Sequence, residues 1–121
     1  MKHAAKYAIR ALDLEISPVP VTIVLKGKTD TYGDSIDFDH KIVIRLFKTD
    51  QWLQTLFHEL EHARQFIYCE LTLEHNHAVW HGDIIERNPA DYWNEPWEVQ
   101  ARKTERKLFK HYRRKFLTKL L

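Results

Sequence analysis

Five consecutive residues, His58-Glu59-Leu60-Glu61-His62, carry the clearest chemistry in this chain. Histidines four positions apart stand one turn apart on a single helix face, where both can bind one Zn²⁺. A glutamate directly after the first histidine can reach a metal-bound water and take its proton. The pattern therefore predicts metal-assisted hydrolysis, with one zinc ion held by His58 and His62 and with Glu59 as general base. Five letters are a short pattern in a chain rich in histidine and glutamate. Two further conditions must hold: a helix must carry the pattern, and a third ligand must exist.

The first condition is met by periodicity. Residues from about Asp50 to Cys69 contain no Gly or Pro, and Thr49 or Asp50 can serve as N-cap. Leu53, Leu56, Phe57, Leu60, Ala63 and Ile67 recur at three- and four-residue intervals, the stripe of an amphipathic helix. At about 100° per residue, His58 and His62 fall roughly opposite that stripe, with Glu59 beside them. The expected helix packs its back into the domain while its front floors a cleft.

For the third ligand the downstream residues are His75, His77, His81, Glu86, Asp91, Glu95, Glu98 and His111. Glu98 fits best. It follows Asn94, a good N-cap, and Pro96, which is tolerated in a first helical turn because its missing N–H would be unpaired there anyway. The helix is expected to run on through Trp97, Ala101, Leu108 and Tyr112. Ala101 shares the face of Glu98 and is small enough to allow close approach to the histidine-bearing helix. The competing reading is a solvated first-turn glutamate favoured by the helix dipole; the upstream motif tips the balance towards a ligand. His75, His77 and His81 are spaced for one strand face, without a motif that would make them a second metal site.

His58-Glu59-Leu60-Glu61-His62 followed by Pro96-Trp97-Glu98-Val99-Gln100-Ala101 on a second helix resembles the gluzincin branch of the zincin metallopeptidases. More narrowly, it resembles the minigluzincins and the small phage-encoded or SprT-like metallopeptidases. The resemblance spans roughly residues 36 to 105. It implies an α+β fold in which an antiparallel or mixed β-sheet is followed by the HExxH active-site helix and a C-terminal glutamate-bearing helix. It also implies zinc on His58, His62 and Glu98, Glu59 as base, and a protein or peptide substrate bound along the strand that edges the cleft. The third histidine of SprT-type proteins has no counterpart near Glu98.

Composition bounds the rest. The chain has 121 residues, 44% apolar and 12% aromatic, which suits a single domain over residues 1–121. One cysteine, Cys69, cannot form an intramolecular disulfide and suits a reducing compartment. The N-terminus is broken by Lys2, Lys6 and Arg10, and no stretch approaches 18 apolar residues. The expectation is a cytoplasmic protein, in the host cytoplasm if phage-encoded, with no membrane partner. Charge is uneven: Arg102 onward carries nine basic residues against Glu105 alone, about +8 where the whole chain is +2. Such a segment can touch nucleic acid, an acidic protein or a membrane surface. Phe109, Tyr112, Phe116 and Leu120 instead favour a packed helix whose charges complement its own dipole and the acidic body.

Elsewhere, residues 2 to 13 read as a short helix ended by Ser17-Pro18, and Val19 to Leu25 as a strand ending at Gly27. Ile36 and Phe38, with a turn at Asp39-His40 and then Ile42 to Phe47, read as an antiparallel hairpin. Either of its strands suits the cleft edge. Residues 77 to 85 suggest a second hairpin about Gly82-Asp83, and Arg87 to Trp93 a loop. Zinc hydrolysis also needs an oxyanion stabiliser, for which Tyr92, His81 and Tyr112 are the candidates. The leading function is a zinc-dependent endopeptidase. The alternatives are a non-catalytic zinc-binding module acting in binding or assembly, through nucleic acid or otherwise, and a zinc hydrolase of non-peptide amides.

Overall fold

β3 (Lys41–Phe47) organises the first layer of the computed structural model, which describes residues 2–16, 19–26, 33–38, 41–47 and 49–117. Its alternate side chains Ile42, Ile44 and Leu46 are buried, the period-two pattern of a strand with one face on the core. β1 (Val21–Lys26) lies parallel to it, from Val21 opposite Ile42 to Lys26 opposite Phe47. β2 (Gly33–Phe38) lies antiparallel on its other side, from Gly33 opposite Leu46 to Phe38 opposite Lys41. The hairpin expected from sequence thus forms, and β3 is central in the order β1-β3-β2. That removes Ile42 to Phe47 as a free edge and leaves β2. Asp39-His40, Ser17-Pro18 and Gly27 lie outside the described residues.

α2 (Trp52–Ile67) follows β3 after a short connection and carries the HExxH residues. Its apolar stripe is buried as expected: Leu56, Phe57, Leu60 and Ala63 pack with Ile42, Ile44 and Leu46 and with Ala4 and Ala8 of α1 (Lys2–Ala11). The N-cap is Gln51, not Thr49 or Asp50; the Thr49 hydroxyl instead accepts from the Gln51 N–H at 3.1 Å. At the other end Cys69 adopts a left-handed backbone, φ 58°. This lets the Glu70 N–H reach the Gln65 carbonyl (2.9 Å) and the Cys69 N–H the Phe66 carbonyl (3.1 Å), closing the helix in a Schellman motif.

A second antiparallel sheet follows, made of β4 (Leu71–Leu73), β5 (His77–Trp80) and β6 (Asp83–Glu86). The turn about Gly82 forms as expected, with His81 and Gly82 both at positive φ, whereas β4 and the 3₁₀ segment Pro89–Asn94 go beyond the elements read from sequence. Leu71 and Ala78 bury Trp97 in a separate small core, where the Trp80 and Trp97 ring centroids stand 6.2 Å apart. This core seats the start of α3 (Pro96–Tyr112). Asn94 is not its N-cap: Glu95 is, and the Asn94 amide donates to Asp91 Oδ1 at 2.7 Å. A wider π turn, Arg113–Leu117, continues from α3. Among the described residues no helix is long and apolar enough to cross a membrane.

Candidate metal centre

His58 and His62 leave one face of α2, and their rings meet edge to face with centroids 4.9 Å apart. Glu59 joins them: one ligand atom from each of His58, Glu59 and His62 lies within 4.8 Å of the others, a group that can hold a metal ion. α3 covers this face. Ala101 is fully buried, so the two helices approach closely, and Glu98 reaches between the histidines. Glu98 Oε2 lies 3.0 Å from His58 Nε2, and Oε1 lies 2.7 Å from His62 Nε2. The face is opposite the apolar stripe, as the helical wheel requires, but it does not floor an open cleft. Glu59, His62 and Glu98 are 6%, 6% and 4% exposed.

The far nitrogens explain how the near ones are aimed. His58 Nδ1 donates to Glu105 Oε1 at 2.9 Å. His62 Nδ1 donates to Gln65 Oε1 at 2.8 Å, and Gln65 Nε2 donates to the Trp97 carbonyl at 3.1 Å. A carbonyl only accepts, so it fixes which end of the buried Gln65 amide faces His62. That in turn puts the hydrogen on Nδ1 and leaves Nε2 as the lone-pair nitrogen of the neutral ring. Both histidines thus present Nε2 to the same carboxylate while Nδ1 is held by an acceptor, the arrangement typical of metal-ligating imidazoles.

Without an ion the arrangement must be held by protons. Burial works against a charged His58, but the carboxylates of Glu105, Glu98 and Glu59 outweigh it and push its pKa up to about 10. His62 is raised as well, burial again opposing and Glu98 and Glu59 prevailing. Burial disfavours the Glu98 carboxylate, yet the two imidazoles hold its pKa well below the usual carboxylate range. Even so His62 Nε2 stays unsatisfied. Glu98 Oε1 is near but outside hydrogen-bond alignment, and this is the orphaned side-chain polar atom among the buried described residues. A buried imidazole nitrogen without an aligned partner, beside a second imidazole and a carboxylate, is a position that a metal ion would satisfy.

Tyr92, from the 3₁₀ segment, donates its hydroxyl to Glu98 Oε1 at 2.8 Å. Burial, and then the charge of Glu98, push its pKa up, so it remains a donor. The other two oxyanion candidates are not brought here. His81 sits in the β5–β6 turn, 3.8 Å from Glu70. Tyr112 is buried at the far end of α3, where its hydroxyl meets His3 Nδ1 at 2.8 Å. Fourteen residues beyond Glu98, it lies about 21 Å further along the helix axis.

Of the other residues considered as third ligand, His75, His77, Glu86 and Asp91 are not gathered into this group. Glu95 lies 3.9 Å from Arg87, and His111 Nδ1 meets the Tyr7 hydroxyl at 2.7 Å. Glu105 and Gln65 were not singled out from sequence, although each carries a signal. Glu105 stands seven residues after Glu98 on the same helix face, and Gln65 three after His62. Glu61, inside the motif, is buried in a different network: Arg64 pairs with it at 2.6 Å and with Glu70 at 2.8 Å, and Gln100 donates to it at 2.9 Å. This network ties α2 to α3 one turn from the candidate ligands.

No protein-family model, curated protein or solved structure matches this chain.

Proposed function

We propose that this protein is a zinc-dependent peptidase of zincin-like architecture, with His58, His62 and Glu98 as ligands and Glu59 as general base. One observation carries the reading: two Nε2 atoms converge on one buried carboxylate while each Nδ1 is held by its own acceptor. Three donors of mixed nitrogen and oxygen type suit zinc in a catalytic site, whose fourth position takes water or substrate. Zinc on these ligands supplies a Lewis acid and a bound water acidified towards ~7.

The protein's own groups do the rest. Glu59, next to His58 and within the same cluster, is the carboxylate that would accept a proton from the attacking water and return it to the leaving amine. Glu105 and Gln65 hold the imidazoles in the tautomers that expose Nε2. The Tyr92 hydroxyl donates towards negative charge developing on the substrate carbonyl oxygen, exchanging its contact with Glu98 for that one. β2 is an edge of the first sheet among the described residues, where an extended peptide would add a strand.

The decisive experiment joins metal analysis to casein digestion. Wild type is expected to hold one zinc and to cleave. Glu59→Gln is expected to hold zinc without cleaving, and Glu98→Ala to lose zinc. Stoichiometric zinc in Glu98→Ala would remove Glu98 as a ligand. A second reading, a zinc-binding module without catalysis, draws on the burial of Glu59, His62 and Glu98, since structural zinc sites are closed. It predicts zinc in wild type with no cleavage of unfolded protein.

A further inference from the structure

The basic C-terminal segment has a single carboxylate, Glu105, and the structure withdraws it from the surface. Its Oε1 faces inward to His58 Nδ1 at 2.9 Å, and its side chain is only 26% exposed. The outer face of the last turns is left to cations. Those turns pack against α1, which brings further cations of its own. Between them lies a cavity of about 370 Å³ lined by His3, Lys6, Tyr7 and Arg10 of α1 and by Lys115 and Phe116 of the π turn. Lys115 Nζ sits 5.4 Å from the Phe116 ring centroid. A neighbouring cavity of about 360 Å³ is lined by Phe109, Lys110, Arg113 and Arg114. Among the described residues Arg10 makes a loose ion-pair contact with Glu15 at 3.7 Å, and both side chains are more than half exposed.

We propose that this junction of α1 and the C-terminal turns binds single-stranded nucleic acid. The six lysine and arginine side chains of the two cavities take backbone phosphates, and the ring-lined cavity takes a base. The pairing of cations with aromatic rings decides the ligand. Phosphates are met by the cations, and an unpaired base has a free π face that stacks on a ring, whereas a duplex hides its base faces. A membrane surface fits less well. Among the described residues Leu108 and Tyr112 of this segment are buried in the core and Leu117 is its exposed aliphatic side chain, too little apolar surface to insert between lipids. The site is separate from the metal centre, which among the described residues of this segment is touched by Glu105, on the inward side.

The test uses the full chain and a fluorescently labelled thymidine oligonucleotide of about 20 bases, followed by anisotropy across a salt series from about 50 to about 200 mM. Binding is expected to weaken with a log–log slope approaching about −4, as six phosphate contacts on a single strand give. K6E/R10E/K115E is expected to lower affinity at least tenfold and to flatten the slope by about 2. K103E/R106E/K107E, an equal charge change on exposed positions of α3 outside both cavities, is expected to cost clearly less. Circular dichroism and zinc content establish that each variant is folded; the single variants R10E and K115E replace any triple variant that is not. The proposal is overturned by absence of binding at the lowest salt, by wild-type affinity in the cavity variants, or by equal losses in the two triple variants. Phosphatidylserine vesicles or a duplex of equal length bound as tightly as the single strand would overturn it too.

Discussion

The contact between α2 and α3 has two ends built from opposite chemistry. At one end Phe57 meets Tyr112 with ring centroids 5.8 Å apart, and the half-buried rings of Tyr7 and Phe116 pack against this pair at its edge, each still lining the cavity beside α1. At the other, His58, Glu59 and His62 form one cluster, with Glu98 against both histidines, and Glu59, His62 and Glu98 are buried. The aromatic end gains from burial whatever the solution holds, because apolar surface leaves water there without leaving a polar group unpaired. The polar end depends on what sits among its donors. Protons hold it in one way and a metal ion would hold it in another, so the helix pair combines an unconditional clamp with a conditional one.

Breaking the unconditional end should have the largest effect on stability. Phe57 is fully buried, and Phe57→Ala is expected to cost about 3–5 kcal/mol, read from the shift in a urea unfolding midpoint. Zinc content per folded molecule should be unchanged; its loss in the folded fraction would mean the two ends are not separable.

The conditional end should reveal itself through pH. His58 is raised from 6.5 to about 10, so its protonated contacts stabilise the metal-free protein fully below about pH 6.5, and that contribution is lost as pH rises towards 10. Glu98 is the other side of the same interaction. Its depressed pKa keeps it charged through this range, and its contribution is lost only in acid below its usual 4.5. With chelator present, the melting temperature is therefore expected to fall as pH climbs from 6.5 towards 10. Zinc competes with those protons, so its stabilising increment should grow over the same interval. A melting temperature in chelator that is flat or rising over that interval would contradict the account.

A smaller effect is expected from the acceptors behind the histidines. Glu105→Ala should lower zinc affinity by about 10–100-fold, measured by competition with a chromogenic chelator, while the aromatic end stays intact. Unchanged affinity would mean that holding His58 Nδ1 is irrelevant to the site.

Much of this was legible in the sequence because local periodicity and local chemistry agree there. The apolar stripe and the HExxH spacing lie in one uninterrupted helix, so the facing of His58 and His62 follows from 3.6 residues per turn. Pro96 marked the start of the helix carrying Glu98. What escaped was decided by contacts across the chain. Asn94 has the residue type of an N-cap, but its amide is taken by Asp91, and Glu95 assumes the position. β4 is three residues long and is defined by its pairing with β5, which no periodicity announces. Tyr112 shares a helix with Glu98 and was a reasonable oxyanion candidate by type, yet axial rise carries it to the aromatic end. Gln65 and Glu105 were readable by spacing; their roles required knowing what α3 lays against α2.

The Gln65 amide is the point where backbone position becomes a choice of tautomer. One end of it reports where the Trp97 carbonyl is, and the other dictates which nitrogen of His62 keeps its hydrogen. Were the start of α3 to slide away, that amide would lose the only reason to keep its present orientation. Turned over, it would offer N–H groups to His62 Nδ1, and the hydrogen would move to the nitrogen now facing Glu98. The small Trp97 core, whose own side chains do no chemistry, therefore acts as a latch on the tautomer of His62.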